Sequence, residues 1–198
     1  GAVAFIFTSP PSSVAAFTAI PGMQYALNFS METDYPKMFA TTAQYTESPW
    51  SYMTPPNETD LSPLKNRGAK MIVFHGVADG VFSPMDAANW MDRLQANHSG
   101  KADAFARLFL VPGMHHCSGG PATDQFDMLT PLVNWVEKGQ VPDSVVASVR
   151  GPGNAAAVNA DVPATWSASR TRPLCSYPLV ARYNGSGDIE SAASFSCR

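Results

Sequence analysis

Two short apolar runs constrain this chain more than any other feature. They are Met71-Ile72-Val73-Phe74, bounded by Gly68 and Gly76, and Phe105-Ala106-Arg107-Leu108-Phe109-Leu110-Val111, stopped by Pro112-Gly113. A continuous apolar run of about four to eight residues between breakers reads as a strand buried on both faces, and such strands belong to parallel sheets. Between them Ser83-Pro84-Met85-Asp86 opens a helix. Ser83 is a good N-cap, Pro84 suits the first helical position, and Asp86 falls in the first turn. Ala87, Trp90, Met91 and Leu94 make its apolar stripe, and Ser99-Gly100 ends it. A second helix is expected from Gln125 to Lys138, with Phe126, Leu129, Leu132, Val133 and Val136 inward and Gly139 just past its end. Pro131 either kinks this helix or marks a late start. Strand, helix, strand, helix is the alternation of an open α/β sheet.

The flanks are less regular. Residues 1 to 66 are punctuated by Pro10-Pro11, Pro21-Gly22, Pro36, Pro49, Pro55-Pro56 and Pro63, and read as irregular. Phe17, Tyr25, Phe29, Tyr35, Phe39, Tyr45, Trp50 and Tyr52 lie between these breaks. They read as a loop-rich shell packed on something larger, or as one wall of a pocket for an aromatic ligand. The start, Gly1-Ala2-Val3-Ala4-Phe5-Ile6-Phe7, is apolar, with no initiator Met and no charged leader. It reads as a strand entered midway in a processed or truncated chain. After Gly139, Val145 to Val149 is a further candidate strand, and Gly151 to Ser169 is rich in Gly, Ala, Pro and Ser. The organisation expected is a loop-rich segment 1–66 and a regular segment 67–198.

Charge excludes some partners. The formal balance is 13 − 16 = −3, and only 15% of residues are charged. That is no electrostatic footprint for nucleic acid or for an anionic membrane. No stretch of about 18 apolar residues exists to span a bilayer. The sequons at Asn28, Asn57, Asn97 and Asn184 lean toward export, hence a secreted or periplasmic location. Of three cysteines, Cys175 and Cys197 would close a loop worth roughly 3 kcal/mol if bridged. Two free thiols are the alternative. Cys117 is then left over, and an odd cysteine in an exported chain points to a partner elsewhere.

The chemistry should lie beyond the carboxyl ends of the two strands. His75-Gly76-Val77-Ala78-Asp79-Gly80 follows the first, and Pro112-Gly113-Met114-His115-His116-Cys117 follows the second. An acid and then a histidine after successive strands match the closing part of the Ser, Asp/Glu, His order of an α/β-hydrolase. The imidazole would move the serine proton, and the carboxylate would hold the imidazole in the right tautomer. No Gly-x-Ser-x-Gly elbow occurs in the chain. Ser186 follows the histidine, in the wrong order, so the nucleophile is expected upstream of Gly1.

These residues carry a resemblance. His75-Gly76-Val77-Ala78-Asp79 with Pro84, then Gly113-Met114-His115-His116-Cys117-Ser118-Gly119-Gly120-Pro121, resemble the tannase and feruloyl esterase family. The likeness covers about 65–198, with weaker support from Phe7-Thr8-Ser9-Pro10-Pro11. It implies the C-terminal part of an α/β-hydrolase sheet, with 1–66 as the end of a lid and its return to the core. It implies Asp79 as catalytic acid, His116 rather than His115 as catalytic histidine, and Phe82 in the acyl pocket. It implies a Cys175–Cys197 disulfide, and a bridge from Cys117 to a cysteine just before the nucleophilic serine in the missing N-terminal part. The family lid often carries structural calcium, but most of that lid would lie outside this chain, so no cofactor is expected here.

The activity implied is hydrolysis of small aromatic esters of feruloyl or galloyl type. A prolyl-oligopeptidase-like peptidase shares the generic His-Gly-x-x-Asp element, but His116-Cys117-Ser118-Gly119-Gly120 counts against it. A non-catalytic binding domain of the same fold is a further reading. A metal module using His115, His116, Cys117 and Asp79 is disfavoured, because adjacent donors cannot easily converge on one ion.

Overall fold

The computed structural model describes residues 6–11 and 19–198. The chain forms two compact units, Gly1–Glu58 and Thr59–Arg198. The division precedes position 66 because Leu61 and Leu64 pack into a hydrophobic cluster of the second unit.

In the first unit three prolines, Pro21, Pro36 and Pro49, sit in the first turns of helices rather than breaking them. Helix α1 is Ala19–Asn28, with Pro21 in its first turn. A 3-10 turn, Tyr35–Met38, has Pro36 at its start. Helix α2, Pro49–Met53, begins on Pro49, and the Ser48 hydroxyl accepts from the Ser51 N–H. Proline fixes φ near the helical value, and the N–H it lacks would be unpaired in a first turn anyway. The aromatics stack among themselves: Tyr35 on Phe39 at 5.1 Å and Phe39 on Trp50 at 5.5 Å between centroids. Tyr45 and Tyr52 line a cavity of about 380 Å³ in this unit. Phe17 and residues 1–5 of the N-terminal apolar run lie outside the described residues.

The second unit holds the α/β element. Helix α3 is Ser62–Asn66, again with a proline in its first turn. Strand β1, Met71–Gly76, is followed by helix α4, Pro84–Asn97, and strand β2, Ala106–Val111. The Ser83 hydroxyl accepts from the Met85 N–H, as its N-cap role requires. β1 and β2 are parallel, in register from Met71↔Ala106 to Gly76↔Val111. Side chains alternate along β2 with the period of a strand. Ala106, Leu108 and Leu110 meet Met91 and Leu94 of α4, while Phe109 and Val111 meet Val145, Ala147 and Leu174 on the other face. β2 is thus sandwiched as expected.

β1 is not. Phe74 is 43% exposed. Among the described residues β1 pairs only with β2. No described strand lies on its outer edge, and Phe74 packs edge-on against Phe126 at 5.2 Å.

Helix α5 is Leu129–Lys138. It starts late: Asp127 Oδ1 accepts the N–H groups of Leu129 and Thr130, and Pro131 falls in the first turn. Gly139 closes it at φ 68°. Of its apolar face Trp135 is buried, but Leu129, Val133 and Val136 are exposed, against the inward placement expected. These three recur at i, i+4 and i+7, on a face that no described strand covers.

Strands β3, Ser144–Ser148, and β4, Thr171–Cys175, form an antiparallel pair whose partnership the sequence did not reveal. Phe109↔Ser176 bridges this pair to β2. β5, Ala181–Tyr183, and β6, Phe195–Cys197, form a second antiparallel ribbon. The Cys175–Cys197 disulfide, with Cα atoms 5.5 Å apart, ties that ribbon to β4. Among the described residues no helix is long and apolar enough to cross a membrane.

Candidate active site

The parallel register brings the loops after β1 and β2 side by side. The Val77 N–H donates to Val111 O at 2.9 Å, and the Ala78 N–H donates to Met114 O at 3.0 Å. This approach requires glycine at the end of β1. A Cβ on Gly76 would run into the backbone carbonyls of Met114 and His115. Gly120 is constrained in the same way at the far end of the histidine loop. Its φ is +76°, and a Cβ there would strike the Gly113 carbonyl.

Asp79 follows β1 in a tight turn. Its Oδ1 accepts the N–H groups of Val81 at 2.7 Å and Phe82 at 3.0 Å. Its Oδ2 lies 2.9 Å from His116 Nδ1. The Asp79 side chain is 4% exposed, whereas that of His116 is 48% exposed. Burial acts to raise the Asp79 pKa. The hydrogen bonds from His116 and from the Phe82 and Val81 N–H groups outweigh it and hold the carboxyl at about 2. At neutral pH Asp79 is therefore an ionised group that only accepts. The proton of the 2.9 Å contact must then sit on His116 Nδ1, and in the neutral imidazole that tautomer puts the lone pair on Nε2. Nε2 has no hydrogen-bond partner among the described residues.

Phe82 packs on the His116 ring at 5.5 Å between centroids. A cavity of about 210 Å³ opens here, walled by Phe74, Phe82 and Met114 and reached by Asp79, His116 and Cys117. Cys117 is a free, exposed thiol with φ 66°, a conformation uncommon outside glycine. His115 turns the other way, with Nδ1 4.0 Å from Asp161 Oδ2. Among the described residues no group of three or more His, Cys, Asp or Glu is placed to hold a metal ion.

One neighbour was not singled out from sequence. His75 Nε2 lies 3.2 Å from Phe82 O and 3.5 Å from Asp79 Oδ2. Donating to that carbonyl, it staples the ends of the turn that carries the acid. Its place in His75-Gly76-Val77-Ala78-Asp79 was the available signal.

A family model described as tannase and feruloyl esterase matches residues 18–198. Mono(2-hydroxyethyl) terephthalate hydrolase of Piscinibacter sakaiensis is 46% identical over 193 residues, 96% of this chain and 29% of its own length. A probable feruloyl esterase of Arthroderma benhamiae is 35% identical over 179 residues, 86% of this chain and 30% of its own. The crystal structure of feruloyl esterase B from Aspergillus oryzae superposes with a TM-score of 0.56 at 25% identity, over 71% of this chain and 29% of that one. The chain thus spans under a third of the length of these relatives, and its sheet is part of an α/β-hydrolase fold. By the match over residues 18–198, the chain belongs to the tannase and feruloyl esterase family, whose matched members are named for ester hydrolysis.

Proposed function

We propose that this chain supplies the acid and the histidine of a Ser-His-Asp triad in a secreted or periplasmic carboxylesterase. The single observation behind this reading is the 2.9 Å contact from His116 Nδ1 to a buried, ionised Asp79 beside a phenylalanine-walled cavity. In this reading His116 Nε2 takes the proton of a serine hydroxyl as the serine attacks the ester carbonyl. It then returns that proton to the leaving alcohol. Asp79 stabilises the imidazolium that forms between those steps. The serine is proposed to come from sequence outside these residues, since no nucleophile elbow lies within them. Cys117 is proposed to bridge to a cysteine beside that serine, and residues 1–66 to be the end of a lid.

The proposed substrates are esters of aromatic acids, of feruloyl or galloyl type. Phe74 and Phe82 supply ring faces for such an acyl group. The substrates in the names of two relatives, feruloyl esters and mono(2-hydroxyethyl) terephthalate, both carry an aromatic ring on the acyl side. Export is supported by the Cys175–Cys197 disulfide, because such bonds persist in oxidising compartments. The test uses the complete enzyme and methyl ferulate or methyl gallate. Asp79→Asn and His116→Ala should each lower kcat by about 1,000-fold or more. Most of the activity surviving in His116→Ala would end the proposal.

A further inference from the structure

The turn that carries His116 is held from behind by a buried ion pair that lines no part of the cavity. The Asp124 side chain is fully buried. Arg150 grips it with Nε 3.1 Å from Oδ1 and 3.0 Å from Oδ2, and with Nη2 2.6 Å from Oδ2. The same Oδ2 accepts the Gly119 N–H at 2.7 Å. Arg150 Nη1 also donates to the carbonyls of Ala156 and Ala157 at 3.0 and 3.4 Å. The segment so anchored delivers Asn159 and Asp161. Asn159 Nδ2 donates to Gly120 O, and Asp161 Oδ2 accepts the Gly120 N–H, both at 2.9 Å. Gly119 O in turn accepts the His115 N–H at 3.2 Å, which closes the turn around His116 and Cys117.

We infer that Asp124 and Arg150 are positioning residues: their ion pair fixes the 115–120 turn and so sets the His116 imidazole against Asp79 and Phe82. The importance of that setting for catalysis rests on the function proposed above. Two glycines cannot restrain this turn through side chains of their own, and glycine backbone is the least constrained of all. The His116 ring is half-exposed, with a hydrogen bond to Asp79 and a ring contact with Phe82, so its place depends on where the backbone sets it. A charged carboxylate is also the acceptor this geometry needs. It receives the Arg150 fork and the Gly119 N–H together, whereas a neutral amide has one oxygen to offer. Burial acts to raise the Asp124 pKa. Arg150 and the Gly119 N–H outweigh it and keep the carboxyl below the usual range, so the clamp stays charged.

Plain stabilisation would be served by an apolar pair of similar volume. A positioning role makes a different demand, and the His116 ring reports it. In the 198-residue chain, NMR can follow the His116 Nδ1 proton and the ring-to-ring contacts between His116 and Phe82. The control is Glu190→Gln, which breaks the comparable Arg170–Glu190 pair (2.7 Å) away from this turn. Asp124→Asn should lose the Phe82 contacts and shift or lose the Nδ1 proton well below its melting temperature. Glu190→Gln should lower the melting temperature and keep both signals. A folded Asp124→Asn with both signals unchanged overturns the inference, and so does equal loss in Glu190→Gln. Should Asp124→Asn not fold, Arg150→Lys replaces the fork by a point charge. A shifted Nδ1 proton there supports the inference, and an identical one overturns it. In the complete enzyme Asp124→Asn should cost about 100-fold in kcat with KM nearly constant. The spectra do not depend on ester turnover, so failure of the proposed activity and failure of the clamp are separable.

Discussion

His115 and His116 are adjacent in sequence, yet their rings face different carboxylates. His116 Nδ1 lies 2.9 Å from Asp79 Oδ2, and His115 Nδ1 lies 4.0 Å from Asp161 Oδ2. The two side chains diverge from the turn, so each imidazole meets its own carboxylate. Their substitution should therefore separate cleanly. In the complete enzyme His115→Ala should change kcat by less than about 10-fold, against about 1,000-fold or more for His116→Ala. Steady-state kinetics on one aromatic ester decides between them, and the reverse order would move the assignment to His115.

Asp79 also sets a pH dependence. Its folded pKa of about 2 lies below the ordinary value of about 3.9. A depressed carboxyl contributes stability that is fully present above its unfolded pKa and lost as pH falls toward the folded one. The melting-temperature gap between the parent chain and Asp79→Asn should be constant above about pH 5 and narrow between about pH 4 and 2. A gap that widens on acidification would contradict the hydrogen-bonded, ionised Asp79.

Gly76 and Gly80 flank the acid turn and should respond differently. Gly76→Ala forces a Cβ into the carbonyls of Met114 and His115, while a Cβ on Gly80 meets nothing within 4 Å. Gly76→Ala should cost about 1–3 kcal/mol, the range for overpacking a tight contact. Gly80→Ala should stay within about 0.5 kcal/mol. Urea melts of the two variants give the comparison.

Cys117 should alkylate with iodoacetamide in the native chain, without reductant or denaturant, because its thiol is exposed and unbridged. Cys175 and Cys197 should stay unmodified under the same conditions. Peptide mass spectrometry reads both outcomes. A Cys117 peptide joined to Cys175 or Cys197 would contradict the pairing.

The disulfide closes a loop with a sequence separation of 22. Replacing both cysteines by serine should destabilise the chain by about 3 kcal/mol, mainly by freeing the unfolded chain. Differential scanning calorimetry measures the loss, and an unchanged melting temperature would show that β5 and β6 are held by other contacts.

The elements around the site were legible in sequence because their signals are local. Ser83 and Pro84 sit where a helix must start, Gly139 where one must stop, and the apolar run at 106–111 is long enough to be a buried strand. The parallel order of two consecutive strands then places Asp79 and His116 at one end of the sheet on sequence grounds alone. Other features depend on residues that meet only in the folded chain. Val145 carries no mark of its partner Leu174, and Asp124 none of Arg150. Exposure of Phe74, Leu129, Val133 and Val136 depends on which neighbours cover them, and an apolar pattern is the same whether a face is covered or bare. Periodicity and capping thus determined the elements and the edge where the chemistry lies. Tertiary contacts alone decided what holds the His116 turn and which apolar faces stay open. Those outcomes are set by hydrogen bonds and packing between residues distant in sequence, and no local propensity encodes them.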